Sequence, residues 1–399
     1  MNSSGYDPAA EGQTDAALPA AALPAAAWVA ALAGLSGMGP VRLRALLDRW
    51  HPEEAWRRVQ EGRVHLDPQV AAAARRLDPA TAGRWRVESG LADVARRWAA
   101  HADAGVGVTI AGDADFPLAL LEGPDAPAVL FHRGRLSVLE RPRVAIVGTR
   151  RCTHAGRSTA RELGRNLAAA GVCVVSGLAL GIDGEAHLGA LDPTVSVPAQ
   201  HAPPAAVVGT GLDVVYPRAN AQLWARVASV GCVLSEYPLG TRPDTWRFPA
   251  RNRVIAALAD VVVVVESHAR GGSMHTVDAA IERGTPVMAV PGPVRSPASV
   301  GTNGLLAAGC APARDADDIL VALGLDIAAS SRSAARPAGP EDPHAVAVLE
   351  AVGWQPATIE DVVARLERPL GEVALALSRL EYQGWLVRHG GWVERTVNR

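Results

Sequence analysis

Lysine is absent from this chain of 399 residues, and all 39 basic residues are arginine. A P-loop needs a lysine on the phosphates and Schiff-base catalysis needs a lysine amine, so both kinds of site are excluded. Cysteine is also scarce. The four cysteines lie far apart in the chain, with neither a CxxC pair nor the Cys/His spacing of a zinc site. We therefore expect reduced thiols, no bound metal and a cytoplasmic location.

A strong net charge is missing as well, because 39 basic residues face 41 acidic residues. Such a chain has no overall attraction to nucleic acid or to membranes, so any anion binding must come from a local arginine cluster. An uncharged run over residues 16–35 is mostly alanine, contains Pro19 and Pro24, and follows no basic residue. These features argue against a membrane span or a secretion signal. We expect a disordered tail over residues 1–24 and no membrane partner.

The motif around which the chain is organised lies at residues 143–190. There the spacing of the apolar residues changes from that of a strand to that of a helix and back. Val144–Val147 is an apolar run typical of a buried parallel strand, and Gly148-Thr149-Arg150 ends it. A helical pattern follows, after which Val172–Val175 repeats the strand pattern and Ser176-Gly177 repeats the loop. A right-handed βαβ crossover places both loops at the carboxyl edge of one sheet. Open α/β sheets bind their ligands at that edge.

Four more apolar runs, each leading into a loop that contains glycine, extend this pattern to about residue 290. The predicted fold class is α/β, with an extended Rossmann-like, doubly wound parallel sheet. We divide the chain into a tail (1–24), an N-terminal helical domain of helix-hairpin-helix or SAM-like type (25–100), the Rossmann-like core (101–323), a linker (324–343) and a winged-helix domain (344–399).

Each flanking region leaves two interpretations open. The glycine-rich segment 34–40 is either a plain turn between two helices or a hairpin that presents N–H groups to a DNA phosphate.

At the C-terminal end of the chain, three helices and a hairpin predict a winged helix, with Thr358 and Asp361 in a capping-box arrangement. Its third helix has Glu372 and Glu381 against Arg379. That charge makes a protein contact at least as plausible as duplex DNA.

The loops after the strands combine glycine, which lets backbone N–H groups approach an anion, with arginine, whose fork binds phosphate in bidentate fashion. We predict a phosphate-binding site at the sheet edge formed by Gly148, Thr149, Arg150, Ser176, Gly177, Arg270, Gly271, Gly272, Ser273 and Thr276. A second group is expected to stack on bases or to support the loops: Met274, Arg247, Phe248, Arg251 and Arg253.

The ligand that fits this site is an extended polyphosphate rather than a dinucleotide. No GxGxxG motif follows the first strand, and the arginines outnumber what one pyrophosphate needs, so we expect no cofactor. Tyr216, Tyr237, Trp246 and Phe248 lie in the same loops and can stack on bases. Arginines together with stacking rings are typical of single-strand binding. For each ring taken alone, core packing is the competing interpretation.

Candidate catalytic residues are few. Asp183 and His187 are four residues apart on one predicted helix, and we expect Asp183 to be the N-cap of that helix. No Ser/His/Asp order, metal cluster or pair of carboxylates stands out in the sequence. We therefore expect a binding protein rather than an enzyme.

The loop motifs, taken together, resemble those of the DprA/Smf family of DNA-processing proteins. In order they are GTR at 148–150, SGLALGIDGEAH at 176–187, GTGLDVVYPRAN at 209–220, SEYPLG at 235–240, FPARNRVIAALA at 248–259, GGSMHT at 271–276 and AVPGPV at 289–294. The resemblance covers about residues 110–320.

That resemblance implies a protein of natural transformation that binds single-stranded DNA without catalysis, forms homodimers and loads the RecA recombinase. It also implies a DNA pocket that includes Arg150, Arg270, Gly272, Ser273 and Thr276. Two features depart from the family pattern. Members often have Ser-Gly-Ser-Leu in place of residues 271–274, and the proline-rich insertion at 192–204 is unusual.

Two other classes of protein remain as alternatives. One is an enzyme that resembles the nucleotide phosphoribohydrolases, whose PGGxGTxxE loop is echoed by GGSMHT and the following Asp278. The other is a transcription regulator that acts through the winged helix, which the acidic third helix disfavours.

Overall fold

The structure is a computed structural model that describes residues 23–74, 77–123, 126–192, 201–325, 340, 342–353 and 355–395. Nine strands of these residues form one sheet: β1 (Gly107–Ile110), β2 (Val129–Gly134), β3 (Arg143–Val147), β4 (Cys173–Ser176), β5 (Ala205–Val208), β6 (Cys232–Ser235), β7 (Val261–Val264), β8 (Val287–Ala289) and β9 (Ala311–Pro312). Their order across the sheet is β1-β2-β6-β5-β4-β3-β7-β8-β9.

The sheet is parallel from β6 to β9, and β1 and β2 extend it as antiparallel strands. Residues 101–140, at the start of the predicted core, supply these two strands. In β3, Val144 and Ile146 face one hydrophobic layer, while Ala145 and Val147 face the other. Both faces of the central strands are therefore covered, which is why their sequences are uninterrupted apolar runs. The predicted doubly wound, Rossmann-like fold is confirmed.

Within the described residues, six helices connect these strands: α7 (His154–Ala169), α8 (Ile182–Ala190), α9 (Ala221–Val230), α10 (Arg247–Leu258), α11 (Met274–Glu282) and α12 (Val300–Ala307). A further helix, α13 (Ala316–Ala322), follows β9. One expectation about these helices is wrong. The N-cap of α8 is Gly181, and Asp183 lies inside the first turn. Helix α12 begins at Val300, directly after the 3-10 turn Pro297–Ser299.

The described residues of the N-terminal region form six α-helices: α1 (Ala25–Ala33), α2 (Pro40–Leu47), α3 (Pro52–Glu61), α4 (Pro68–Ala73), α5 (Pro79–Leu91) and α6 (Val94–Asp103). Their buried residues form one hydrophobic cluster with sheet residues such as Phe131 and Val208. The boundary at residue 100 stays a prediction about chain organisation, and packing is continuous across it. In the turn before α2, the Ser36 N–H donates to Glu88 Oε2 at 2.8 Å, and the Trp85 Nε1–H donates to the Ser36 carbonyl at 2.9 Å. These bonds fasten the turn to α5.

The C-terminal region has its own hydrophobic cluster and the predicted winged-helix architecture. It consists of α14 (Pro343–Val352), α15 (Ile359–Leu366) and α16 (Leu370–Tyr382), with a small sheet of β10 (Ala357–Thr358), β11 (Leu386–His389) and β12 (Trp392–Arg395). The capping box between Thr358 and Asp361 is confirmed, with both reciprocal hydrogen bonds present.

Three predicted segments fall wholly or mostly outside the described residues: the tail 1–24, the core of the proline-rich insertion 192–204 and the linker 324–343.

Among the residues that the structure does describe, no helix is both long and apolar enough to cross a membrane. The same residues contain no group of three or more His, Cys, Asp or Glu side chains arranged to hold a metal ion.

Candidate nucleic-acid interface

The two predicted arginine loops leave the sheet side by side. Strand order reverses between β3 and β7, and the crevice at such a switch point is where open α/β sheets bind ligands. The two strands are parallel and paired in register through Val147 and Val264. The Thr149 N–H donates to the Glu266 carbonyl at 2.8 Å and joins the loops. Arg150 and Arg270, one in each loop, are both exposed.

A pocket opens next to Arg150 at the ends of β4 and β5. Its lining includes Gly177, Gly209, Tyr216, Phe248 and Arg251. The Phe248 and Tyr216 rings stack with their centroids 5.3 Å apart, and the Arg150 guanidinium lies 5.4 Å from the Phe248 centroid. Tyr216 is 38% exposed, so part of the stack faces solvent. A flat aromatic surface next to a guanidinium can stack on a base while the cation binds phosphate.

Arg251 forms the buried back wall of this pocket. Its Nη1 donates to the Gly177 carbonyl at 2.9 Å and to the Val207 carbonyl, which connects α10 to the ends of β4 and β5. A Cβ on Gly177 would lie 2.5 Å from the guanidinium, so any side chain at this position would displace Arg251. The Asp183 carboxylate accepts the Gly177 N–H at 3.1 Å. Burial lowers the pKa of Arg251 to about 10 and raises the pKa of Asp183, while their mutual attraction opposes both shifts.

The two residues after Arg251 bind two further strand-end loops. Asn252 Nδ2 donates to the Gly272 carbonyl at 3.1 Å, in the loop after β7. Arg253 forms an ion pair with Glu236, in the loop after β6. Arg251 and Arg253, which the sequence suggested as stacking or supporting residues, thus have supporting contacts. Asn252 was not among the predicted site residues, because an asparagine between two arginines carries no pattern of its own.

The loop before α11 offers open space at one position. Gly272 is exposed, and a Cβ added there would meet nothing within 4 Å. Ser273 is buried and its hydroxyl donates to Ser267 Oγ at 2.9 Å. The buried Thr276 Oγ1 has no hydrogen-bond partner among the described residues. A helix N-terminus with an accessible glycine loop is suited to an anion.

The N-terminus of α7, in contrast, is already occupied by a carboxylate. Glu266 accepts the Thr153 N–H at 2.9 Å and the Thr153 hydroxyl at 2.5 Å. Dinucleotide-binding folds place pyrophosphate at the N-terminus of the corresponding first helix. Since an internal negative charge lies there, a phosphate would be repelled. This contact is a second reason, besides the missing GxGxxG motif, to disfavour a dinucleotide.

Other predicted residues are buried or partly buried. The buried Ser176 hydroxyl donates to the Ile146 carbonyl at 2.6 Å, so it shapes its loop from within. Met274 packs against the hydrophobic layer that contains α10 and α11. His187 is fully buried with Nε2 3.1 Å from the Ala205 carbonyl oxygen, and burial lowers its pKa to about 4. The half-buried Arg247 guanidinium contacts two aromatic rings, those of Tyr237 and Trp246.

The sequence and the fold both match known proteins. Residues 107–324 match the family described as DNA recombination-mediator protein A, and residues 332–391 match the DprA winged helix domain. The chain is 35% identical over 293 residues to Protein Smf of Escherichia coli, covering 71% of this chain and 76% of that protein. It is 40% identical over 205 residues to DNA processing protein DprA of Streptococcus pneumoniae, covering 51% of this chain and 70% of that protein.

A solved structure supports the same relationship. The X-ray structure of DNA processing protein A from Streptococcus pneumoniae is similar to this chain with a TM-score of 0.59 and 31% sequence identity. The match covers 72% of this chain and 94% of that chain.

Proposed function

Because the chain belongs to the DprA/Smf family of DNA-processing proteins, we propose that it binds single-stranded DNA at the carboxyl edge of its sheet. The observation that carries the proposal is the pocket in which Arg150, Phe248 and Tyr216 form a continuous cation and ring stack. Exposed rings next to arginine suit unstacked bases, which a duplex does not present. The proposed role is to hold and protect a strand without chemical change.

The proposed phosphate path runs between the two arginine loops at the switch point. Arg150 and Arg270 supply the positive charge, and the exposed Gly272 admits the backbone closely. The proposed path also includes four further loop residues: Gly148, Thr149, Gly177 and Gly271. Ser176, Ser273 and Thr276 support it from inside, since all three are buried.

The absence of catalysis is part of the proposal. The enzyme alternative needs a free carboxylate near the loop after β7 or β6, and Glu236 is held in its ion pair with Arg253. Asp278 lies exposed on α11, outside the pocket lining. A phosphoribohydrolase would release free base from nucleoside monophosphates, and we expect none above a buffer control by chromatography.

We extend the proposal to two protein partners, a second copy of the chain and the RecA recombinase. The description of the matched family as a recombination mediator supports the RecA partner. Light scattering on the purified protein tests the homodimer. Delivery of RecA is tested by the rate of RecA filament formation on an oligonucleotide coated with single-strand binding protein, which the chain should increase.

The central experiment is a salt-titrated binding measurement with single-stranded and duplex oligonucleotides. We expect preference for the single strand, with a slope of log affinity against log salt of about -0.7 per phosphate neutralised. Equal affinity for duplex, or a flat salt response, would contradict the proposal.

A truncated chain that ends near Arg336 separates the core from the winged helix. Since the winged helix has its own hydrophobic cluster, the rest of the chain should keep its fold. The third helix of the winged-helix domain has little positive charge. The single-strand affinity of the truncated chain should therefore stay within about tenfold of wild type, or roughly 1.4 kcal/mol. A larger loss would place the DNA surface on the winged helix.

A further inference from the structure

A second cluster of rings and arginine lies next to the pocket, at the start of α10. The Arg247 guanidinium is 4.8 Å from the Trp246 ring and 5.3 Å from the Tyr237 ring. The two rings meet edge to face with their centroids 6.3 Å apart. We call these three residues, Tyr237, Arg247 and Trp246, the platform. Arg247 directly precedes Phe248, which lines the pocket.

The platform is held in place by polar contacts. The Trp246 Nε1–H donates to Asp244 Oδ2 at 2.7 Å, and Arg247 Nη1 donates to the Arg242 carbonyl at 2.8 Å. The Arg247 guanidinium also lies 3.8 Å from the Asp244 carboxylate. Because the indole N–H and the guanidinium are already bonded, a ligand meets a fixed ring and orders little of the protein on binding.

The members of the platform differ in exposure. Tyr237 is half-buried, and burial raises the pKa of its hydroxyl to about 12. Trp246 is 50% exposed although it is among the largest apolar side chains. Core packing does not explain the position of this outer indole, since half of its surface faces water.

The start of α10 connects the platform to the pocket. A Cβ on Gly209, at the end of β5, would lie 3.4 Å from both the Arg247 carbonyl oxygen and the Phe248 ring. The same helix turn therefore supports both stacks. Two separate stacks at one sheet edge, each with an arginine, match the repeated base platforms of single-strand binding proteins.

We propose that Trp246, fixed by Arg247 and Tyr237, is a second base-stacking subsite that binds a nucleotide beyond the one in the Phe248 pocket. The inference rests on the proposed single-strand binding and extends it to the length of strand bound. A single-stranded nucleic acid that reaches past the pocket gains a stacking contact, and a shorter one does not.

The test compares Trp246→Ala, Trp246→Phe and wild type on oligo-dT strands of about 4 to 16 nucleotides, the range of common site sizes. Trp246→Ala should bind the longer strands roughly five- to tenfold more weakly, at the low end of base stacking on a protein ring. It should bind the shortest strands like wild type. Trp246→Phe should retain most of the affinity, because a ring remains.

Trp392 provides a matched control, since it is 49% exposed and lies in the winged helix. Trp392→Ala should bind strands of every length like wild type. Strands that carry abasic sites should remove the difference between Trp246→Ala and wild type, because no base is present to stack. In fluorescence titrations, Trp246→Phe should lose part of the quenching by oligo-dT that Trp392→Phe retains.

Three outcomes would overturn the subsite. Wild-type affinity of Trp246→Ala at all lengths, with Arg150→Ala still impaired, would remove it while the proposed function stands. A change in oligomeric state without a change in affinity would assign the indole to a contact between copies. Absence of single-strand binding by the wild-type chain would reject the proposed function and the subsite together.

Discussion

Replacing Arg150 with alanine tests the proposed DNA path directly. The guanidinium is exposed and lies 5.4 Å from the Phe248 ring centroid at the pocket. A hydrogen bond to a charged group contributes about 1.5 to 3 kcal/mol. The dissociation constant for single-stranded DNA should therefore rise roughly 10- to 150-fold. The free energy of unfolding should fall by at most about 1 kcal/mol, the contribution of an exposed cation over a ring.

The assay is fluorescence anisotropy of a labelled oligo-dT at several salt concentrations, with thermal unfolding measured in parallel. Loss of one phosphate contact should reduce the magnitude of the salt slope by about 0.7. Arg150→Lys separates charge from geometry. It should keep most of the slope and still lose affinity, because an ammonium cannot form the bidentate fork or stack on Phe248.

Arg135 is the matched control for charge. It is exposed, and the adjacent Gly134 pairs with Cys232 at the start of β6, so Arg135 lies at the opposite, amino edge of the sheet. Arg135→Ala should bind DNA like wild type. If Arg150→Ala folds and binds as wild type does, or if both variants lose affinity equally, the path does not pass through the carboxyl edge.

Two further predictions concern coupling and pH. Arg270→Ala should also cost about 1.5 to 3 kcal/mol of binding, and a double-mutant cycle with Arg150→Ala on one oligonucleotide should be non-additive if both arginines bind the same strand. The pKa of His187 is about 4 in the folded protein, below the value of 6.5 in the unfolded chain. The neutral imidazole therefore gives its full contribution to the free energy of unfolding above pH 6.5, and this contribution is lost as the pH falls toward 4. Denaturant unfolding should show about 2 kcal/mol less stability at pH 5 than at pH 8 from this group, although the raised pKa of Asp183 acts in the opposite direction. His187→Gln, which can keep a bond to Ala205, should flatten the pH dependence, and an unchanged dependence would assign it to other groups.

The strands and the loop positions were predictable because their signals are local. Val144–Val147 and Val261–Val264 are apolar on every residue, which is the pattern of a strand buried on both faces. The glycine and arginine residues that follow each run place the loops at one edge through the handedness of the crossover alone. Helix starts were less certain. The N-cap of α8 is a glycine, and Asp183, which has the side chain of a cap, instead binds the Gly177 N–H.

The contacts that shape the site were not predictable, because they join residues far apart in the chain. Thr153 and Glu266 are 113 positions apart, and Gly177 and Arg251 are 74 apart. Neither pair shares a periodic pattern. An arginine in a loop motif is equally compatible with a phosphate contact and with an internal one, and burial decides between them. Arg251 is 5% exposed, whereas Arg150 is exposed.

The buried position of Arg251 explains how short glycine loops can form a defined site. Glycine loops lose much conformational entropy on ordering, so a ligand that had to order them would bind weakly. Here Arg251 binds Gly177, and Asn252 binds Gly272, before any ligand arrives. A guanidinium suits this role because it can donate to several carbonyls from one buried position. The solvent-facing Arg150 and Arg270 of the proposed DNA path are thus carried on loops that the buried residues already hold, which is the preorganisation that a binding site needs.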